Sequence, residues 1–598
     1  MGPMQETTNN RGRRANVVVA KVGAFWGPSP IAPDADAVAK LAAFEVARTS
    51  TPAGQAARCR ATKVGPGLGG GGGSRHAVAS LTPLSLAAWL GSGACAAGGT
   101  GGTAALAVVA PTLALSDTPR TLTRSSGFGM VEQVPRTASP AIGFPLGNDV
   151  AGFGTDGIRG RVGSAITPAL ALQLGYWFGV VLPPGGPVLI GTDSRSSGPM
   201  LVAALTAGLT AAGRDVWNLG LCPTPAVPGT IRRLGAAGGL MVSASHNPPP
   251  DNGIKVFGPS GAKLGREQQQ TIEMGLAGQT PPLALHGGGK AHSRGDLIDA
   301  YRESLLASID GQRLDGCFIV LDLCWGSATA CGEKVFRDLG AELLVLHGKP
   351  DGGKINQGCG STCLDPLRQT VLDQGASMGF AFDGDADRML AVDGLGRIVD
   401  GDQILYLWGS ALRENGHLPG NRIVTTVMSN LGFELAWQGL GGVLERTAVG
   451  DQHVHAAMER CGAVLGGEQS GHILSALHGM TGDGLLTALQ VATLVHSRDQ
   501  TLAEWMDGSF QPFPQKLVNV MVPDHQRRQQ WNQCEALQLA VQKAERAMEG
   551  QGRVLVRPSG TEPLLRVMVE AREQREVDQW AHHLAEEAER WLNDEARP

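Results

Sequence analysis

Three aspartates alternate with glycine and alanine in Asp383-Gly-Asp-Ala-Asp387, and Arg388 follows them. Carboxylates two residues apart share one face of a strand, and in a tight turn they converge on one hard cation. Mg²⁺ suits such a set, because it takes oxygen ligands and completes its shell with phosphate oxygens. An EF-hand loop also opens with D-x-D-x-D, but its twelfth position needs a bidentate glutamate and here holds Gly394. Calcium is set aside on that ground. Arg388 offers a cation for a phosphate beside the metal.

The segment Val242-Ser-Ala-Ser-His-Asn-Pro-Pro-Pro-Asp-Asn-Gly-Ile-Lys-Val-Phe257 is the densest in reactive groups. A short apolar run leads into two serines and His246, and Pro248 to Pro250 then forbid a regular helix. A loop stiffened in this way holds a nucleophile in place at low entropic cost. Phosphoryl transfer also needs a group to take the proton of the attacking hydroxyl. Lys255 and His246 are the candidates, and Lys255 qualifies only if nearby cations lower its pKa.

Two further loops carry binding groups. Arg557-Pro-Ser-Gly-Thr-Glu-Pro563 lies between the β-type runs Val554–Val556 and Leu564–Val569. Backbone N–H groups around Ser559, Gly560 and Thr561 can form an anion nest, with Arg557 and Arg566 adding guanidinium groups. Gly466-Gly-Glu-Gln-Ser-Gly-His472 presents Glu468, Ser470 and His472, an acceptor and donors for neighbouring sugar hydroxyls. Gly154-Thr-Asp-Gly-Ile-Arg-Gly160 and Gly191-Thr-Asp-Ser-Arg195 repeat one turn with an arginine. Arg159 and Arg195 either face a phosphate or pair with Asp156 and Asp193. Each motif alone has a bland reading as a polar turn, an acidic loop or a hairpin. Taken in this order, they supply a nucleophile, a divalent-metal site, a sugar clamp and a phosphate clamp, the parts that moving a phosphoryl group on a sugar requires.

The elements that must position these loops read as α/β. Val188–Asp193, Leu240–Ser243, Phe318–Asp322, Met378–Phe382 and Ile423–Val427 are short β-type runs, interleaved with helical patterns such as Pro199–Ala212. Each motif falls at the polar end of such a run, where open α/β sheets bind ligands. The expected organisation is an α/β domain with the serine loop over 149–292, one with the metal loop over 293–396 and one with the sugar loop over 397–512. A smaller α+β unit with the phosphate loop follows over 513–598. Thr501–Pro514, with Pro512 and Pro514, reads as the boundary before it.

Composition narrows the partners. The chain has 598 residues, 42% hydrophobic and 18% charged, with a net charge of −5. No basic face is implied, so nucleic acid has nothing to rest on. Ten cysteines lack paired C-x-x-C knuckles, which argues against zinc and for buried thiols in a reducing cytoplasm. Residues 1–148 differ from the rest, being rich in Gly, Ala, Ser, Thr and Pro with a pure glycine run at Gly69–Gly73. They read as a disordered or non-native extension, with Met130 a candidate for the true start. The uncharged stretch Ala77–Ser116 is too glycine-rich for a membrane span.

From residue 152 onward the chain resembles the α-D-phosphohexomutases, most closely their phosphoglucosamine mutase branch. The five motif blocks above carry the resemblance, and Thr481-Gly-Asp-Gly484 and Val449-Gly-Asp451 match the glucosamine branch in particular. One departure follows at once: where that branch commonly continues with Arg-Tyr, this chain has Gln452-His453. The first 150 or so residues have no counterpart in the family.

The resemblance implies three related mixed-sheet α/β domains and a smaller C-terminal domain around a central cleft. It implies that Ser245 is the phosphorylated nucleophile and that Asp383, Asp385 and Asp387 hold Mg²⁺ together with the Ser245 phosphate. Glu468, Ser470 and His472 would meet the sugar, and the Arg557–Thr561 loop the non-reacting phosphate, with Arg159, His246, Lys255 and Arg388 around the transfer. The expected reaction interconverts glucosamine 6-phosphate and glucosamine 1-phosphate through a bound hexose 1,6-bisphosphate, which also serves as activator. The partner is then a small phosphosugar, with neither nucleic acid nor membrane, and a homodimer stays open. Two rivals remain: the same fold acting on mannose or glucose phosphates, and a silent phosphosugar-binding regulator.

Overall fold

The computed structural model describes residues 152–154, 156–280, 288–559 and 563–593, all within a unit running from Phe128 to Pro598. The expectation for residues 1–148 lies outside the described residues, as do Gly560 and Thr561.

The first sheet contains β1 (Ile158–Arg161), β2 (Val188–Thr192), β3 (Val216–Leu221), β4 (Gly238–Val242), β5 (Asp251–Phe257) and β6 (Ala291–Ser293). Their spatial order is β1-β5-β4-β2-β3-β6. The pairs β2–β3, β2–β4 and β3–β6 are parallel, whereas β5 runs antiparallel to both β4 and β1. Strand β4 is buried along its whole length, as a run covered on both faces should be. One flanking helix, Pro168–Val181, starts where Thr167 accepts from the Leu170 N–H and Pro168 occupies the first turn. It lies close against the helix Gly198–Ala211: a Cβ on Gly208 would sit 2.0 Å from Leu172 O, so glycine sets the separation.

The second sheet, β11-β10-β9-β7-β8, is formed by β7 (Phe318–Asp322), β8 (Glu342–Leu346), β9 (Met378–Phe382), β10 (Met389–Asp393) and β11 (Ile398–Val399). The third, β13-β12-β14-β15, is formed by β12 (Arg422–Thr426), β13 (Val443–Thr447), β14 (Leu465–Gly467) and β15 (Ile473–Ser475). Both are mixed: β7 is parallel to β8 and β9, and β12 to β13 and β14, whereas β10 and β15 turn back antiparallel. A single apolar cluster runs from Leu219 and Ile231 through Leu321 and Phe380 to Phe433 and Leu489, joining elements of all three units.

The last sheet is small and wholly antiparallel, in the order β16-β18-β17, from β16 (Gln515–Met521), β17 (Gly552–Pro558) and β18 (Leu564–Ala571). The helices Glu535–Ala547 and Gln574–Leu592 close it into a separate core around Leu537, Val567, Val569 and Leu584. Polar bonds tie it to the third unit: Glu570 Oε1 accepts from Leu431 N–H at 2.9 Å, and Arg553 donates to Ser429 O at 2.5 Å and Val427 O at 2.8 Å.

The expected strands and the helix near 199–212 are present, with ends shifted by a residue or two. The segment Thr501–Pro514 is more than a boundary. It holds the helix Leu502–Asp507, which begins in a capping box where Thr501 and Glu504 satisfy each other's backbone N–H groups. No helix among the described residues is long and apolar enough to cross a membrane.

Candidate active site

Strand β4 ends at Val242 and the chain turns sharply through Ser243–His246. Ser245 has φ +52°, a left-handed conformation that a non-glycine residue adopts only when its surroundings fix it. The surroundings do so. Ser243 Oγ donates to Asp193 at 2.6 Å and accepts from Ser245 N–H at 2.9 Å. Arg195 donates to the carbonyls of Ser245, Asn247, Pro248 and Asp251 at 2.6–3.0 Å, while Asp193 holds its Nε at 3.0 Å. Arg195 is thus the pin of the serine loop and is fully occupied by protein acceptors. Of the two readings open to it, pairing with Asp193 is the one observed. Asn356, from the second unit, adds donors to Ser245 O at 2.8 Å and Asn247 O at 3.0 Å. Nothing in the sequence marked Asn356, since it sits 111 residues from its partner.

The aspartate turn follows β9 and brings its carboxylates to this loop. Ser245 Oγ donates to Asp383 Oδ2 at 2.5 Å, across the junction of two units. Asp383, Asp385 and Asp387 are buried and present oxygens all within 4.8 Å of one another. Asp385 Oδ1 and Asp387 Oδ1 are buried without a donor. Burial and the neighbouring Asp387 and Asp385 push Asp383 well above the usual carboxylate range. Crowded acids with unsatisfied oxygens are what a divalent cation relieves, so the residues fit Mg²⁺. Thr224, also unmarked by the sequence, steadies the turn: its hydroxyl donates to Asp385 Oδ2 at 2.5 Å and its N–H to Asp385 O at 2.9 Å.

Lys255 lies buried on β5 with its ammonium 2.5 Å from Asp387, 2.7 Å from Asp385 and 3.1 Å from Asp156. Burial would lower its pKa, but the three carboxylates outweigh it and hold Lys255 well above the ordinary lysine value. The condition set for Lys255 as a base is therefore reversed: it is surrounded by anions and stays charged. For Asp387, burial acts upward, yet Lys255 and His472 bring it down to about 2. His246 shows the opposite pattern. Burial, with Arg388 and Arg159 nearby, lowers it to about 4, so at neutral pH its imidazole is uncharged, with Nδ1 3.3 Å from Ser245 Oγ. Arg159 pairs with Asp156. The Arg388 side chain approaches Asp387 at 4.0 Å, and its Nε is buried without an acceptor.

The sugar-loop candidates lie on the turn between β14 and β15. A Cβ on Gly471, at φ +86°, would meet Met389 O at 2.1 Å, so glycine lets this turn sit directly on β10 behind the aspartates. Glu468 is nearly buried, and its Oε1 accepts from Gly450 N–H at 3.0 Å. Ser470 Oγ is buried without a partner, and His472 Nε2 is 3.8 Å from Asp451. Gln452 and His453, the departure noted above, start the helix Asp451–Cys461 beside this turn. Arg557 and Arg566 face each other directly across β17 and β18, and Ser559 is buried next to them. The structure therefore brings Ser245, His246, Lys255 and the three aspartates together, with Arg159 joined to them through Asp156.

Family models agree with this architecture. Residues 151–281, 299–396 and 400–513 match the α/β/α domains I, II and III of phosphoglucomutase/phosphomannomutase, and 517–587 match its C-terminal domain. The chain is 68% identical over 442 residues to a phosphoglucosamine mutase of Synechococcus sp. strain WH7803, covering 74% of this chain and 96% of that one. It is 66% identical over 461 residues to a phosphoglucosamine mutase of Prochlorococcus marinus strain MIT 9303, covering 76% and 98%. Among solved structures, a phosphoglucomutase/phosphomannomutase family protein of Burkholderia thailandensis superposes with a TM-score of 0.61 at 24% identity, over 74% of this chain and 98% of that one. An Aspergillus fumigatus N-acetylphosphoglucosamine mutase, in complex with GlcNAc-6P and magnesium, gives 0.54 at 18% identity, over 76% and 100%. The chain belongs to the phosphoglucomutase/phosphomannomutase family, the α-D-phosphohexomutases, and within it sides with the phosphoglucosamine mutases.

Proposed function

We propose that this chain interconverts glucosamine 6-phosphate and glucosamine 1-phosphate, with Ser245 as the phosphoryl carrier. The observation that carries the reading is the 2.5 Å contact between Ser245 Oγ and Asp383, at the mouth of a three-carboxylate cluster. The phosphoglucosamine mutases matched at 66–68% identity support the sugar.

In the forward direction the phosphoryl group leaves Ser245 Oγ and bonds to O1 of the 6-phosphate, giving a 1,6-bisphosphate. The O1 proton needs an acceptor, and His246 is the uncharged group at hand, whereas Lys255 keeps its proton and offers positive charge to the moving phosphoryl. The bisphosphate turns over within the cleft, and Ser245 Oγ takes the phosphoryl from O6 to leave the 1-phosphate. Asp383, Asp385 and Asp387 would hold Mg²⁺, which neutralises charge on the transferring phosphoryl oxygens. Glu468, Ser470 and His472 orient the sugar hydroxyls. Arg557, Ser559, Gly560, Thr561 and Arg566 receive the phosphate that is not reacting, and the placement of two guanidinium groups directly opposite each other on β17 and β18 supports that reading.

The testing experiment is turnover by the purified chain with Mg²⁺, a trace of hexose 1,6-bisphosphate and glucosamine 6-phosphate, beside mannose and glucose 6-phosphates. Preference for the glucosamine substrate supports the reading. Preference for another sugar would keep the Ser245 chemistry and overturn the specificity, which the Gln452-His453 departure makes the first point to check.

A further inference from the structure

Beside the aspartate turn, the second unit gathers Asp322, Cys324, His347 and Cys359 at the end of β7. The two sulfurs are 3.9 Å apart. Asp322 fixes both walls of the pair, accepting from Cys324 N–H at 2.9 Å and Gly360 N–H at 2.8 Å, and it also bonds His347 Nδ1 at 2.8 Å. Cys324 is held at φ +57°. A Cβ on Gly360 would meet Cys324 Sγ at 2.4 Å, so only glycine lets the second cysteine's loop close this tightly. Both thiols are buried, yet Cys359 follows two exposed residues, Gln357 and Gly358, in the chain.

We propose that Cys324 and Cys359 are a site of reversible oxidation, and that closing their disulfide disturbs the Ser245 loop through Asn356. The link is direct. The Cys324 thiol donates to Asn356 Oδ1 at 3.1 Å, while Asn356 Nδ2 donates to the carbonyls of Ser245 and Asn247. Forming the bond shortens the sulfur separation to about 2.05 Å. It also removes the thiol hydrogen that anchors Asn356. Both changes act on segment 356–360, and so on a carbonyl of the serine that the proposed function makes the nucleophile.

The oxidant class is a peroxide. The Cys359 thiolate attacks one peroxide oxygen, giving a sulfenic acid and releasing hydroxide. Cys324 sulfur then displaces the hydroxyl, the S–S bond forms, and the thiol proton leaves with it as water. In sum, two thiols and one hydrogen peroxide give one disulfide and two waters. A small dithiol reverses the step by exchange. The local chemistry suits this order: the Cys324 thiol and the His347 imidazole hold Cys359 below the usual thiol range despite its burial. Hydrogen bonding to Asp322 raises His347 in turn. By contrast, burial pushes Cys222 up to about 12.

The inference rests on the mutase reading for its effect on rate, but not for the bond itself, so two readouts keep them apart. The full-length chain is treated with graded hydrogen peroxide, and peptides are mapped by mass without reduction while turnover is followed in parallel. The expected result is a Cys324–Cys359 cross-link and a loss of turnover on the order of tenfold to a hundredfold. Dithiothreitol should restore the rate, and Cys359→Ala, together with Cys324→Ser, which keeps a donor for Asn356, should keep basal turnover and resist the loss. Oxidation of other thiols with no such cross-link, or a Cys359–Cys363 bond instead, overturns the pairing. A cross-link that leaves turnover unchanged overturns the coupling to Ser245. A zinc ion that co-purifies in equal amount and masks both thiols overturns the redox role. An untreated chain without mutase activity that still forms the cross-link would fault the proposed function and leave the thiol pair standing.

Discussion

Lys263 reaches from the first unit to Asp451 of the third, with its ammonium 2.7 and 2.6 Å from the two carboxylate oxygens. The same ammonium lies 2.5 Å from Asp156, which faces Lys255 on the other side. Alternating charges thus run from the aspartate cluster to the start of the helix Asp451–Cys461, one residue beyond the N–H that Glu468 accepts. Lys263→Met keeps the stem and deletes the charge, which leaves Asp156 and Asp451 facing each other. These side chains retain 14–21% exposure, so the cost to stability is about 1–3 kcal/mol rather than that of a fully buried pair. Misplacing the sugar loop should lower kcat/KM on glucosamine 6-phosphate by about tenfold or more. Wild-type kinetics in this variant would remove the bridge from any account of the cleft.

Ser245→Ala should abolish turnover and leave the fold intact. Arg195, Ser243 and Asn356 grip the backbone of this loop rather than the Ser245 hydroxyl, so its left-handed turn survives the change. The comparison is turnover against thermal unfolding. An active Ser245→Ala chain would sink the nucleophile assignment.

Much of this site is legible in the amino-acid sequence, for a physical reason. Asp383, Asp385 and Asp387 act through spacing within one turn, and Ser245 through a proline-stiffened loop after an apolar run, so local sequence carries both. The residues that hold them are different. Asn356 and Thr224 act on partners 111 and 161 positions away, through one hydrogen bond or two, and leave no local periodicity or motif. Lys255 shows the same limit in its charge. Its place near the metal loop followed from the motif, but its protonation depends on which charges surround it, and these proved to be three carboxylates.

Arg557 and Arg566 yield a prediction with opposite signs for stability and function. Burial and the facing Arg566 lower the Arg557 pKa, and Arg557 Nε is buried without an acceptor. Arg557→Gln relieves the repulsion, so the ligand-free chain should unfold at the same temperature or slightly higher. KM for the phosphosugar should rise by at least about tenfold, the loss of one charge-assisted clamp. Inorganic phosphate should raise the unfolding temperature of the parent chain and not of the variant. Equal protection of both would move the distal phosphate elsewhere.

Asp402 should make stability fall as pH rises toward neutrality. It is fully buried at the start of the helix Gly401–Glu414, and burial with the neighbouring Asp400 raises it to about 7. Burial raises Asp400 itself to about 6. In the unfolded chain both return to about 3.9. Between that value and the folded ones the native state binds more protons, so the stabilising contribution is complete below about pH 4 and is lost as pH climbs through 6 and 7. Asp402→Asn cannot ionise, and its amide oxygen can still accept from Asn430 N–H, which reaches Asp402 Oδ2 at 2.8 Å. Urea midpoints of both chains at pH 4.5, 6 and 8 should therefore diverge, with the variant gaining on the parent at each step upward. Parallel curves would mean that Asp402 keeps its charge in the folded chain, and that a cation or donor near Oδ1 neutralises it.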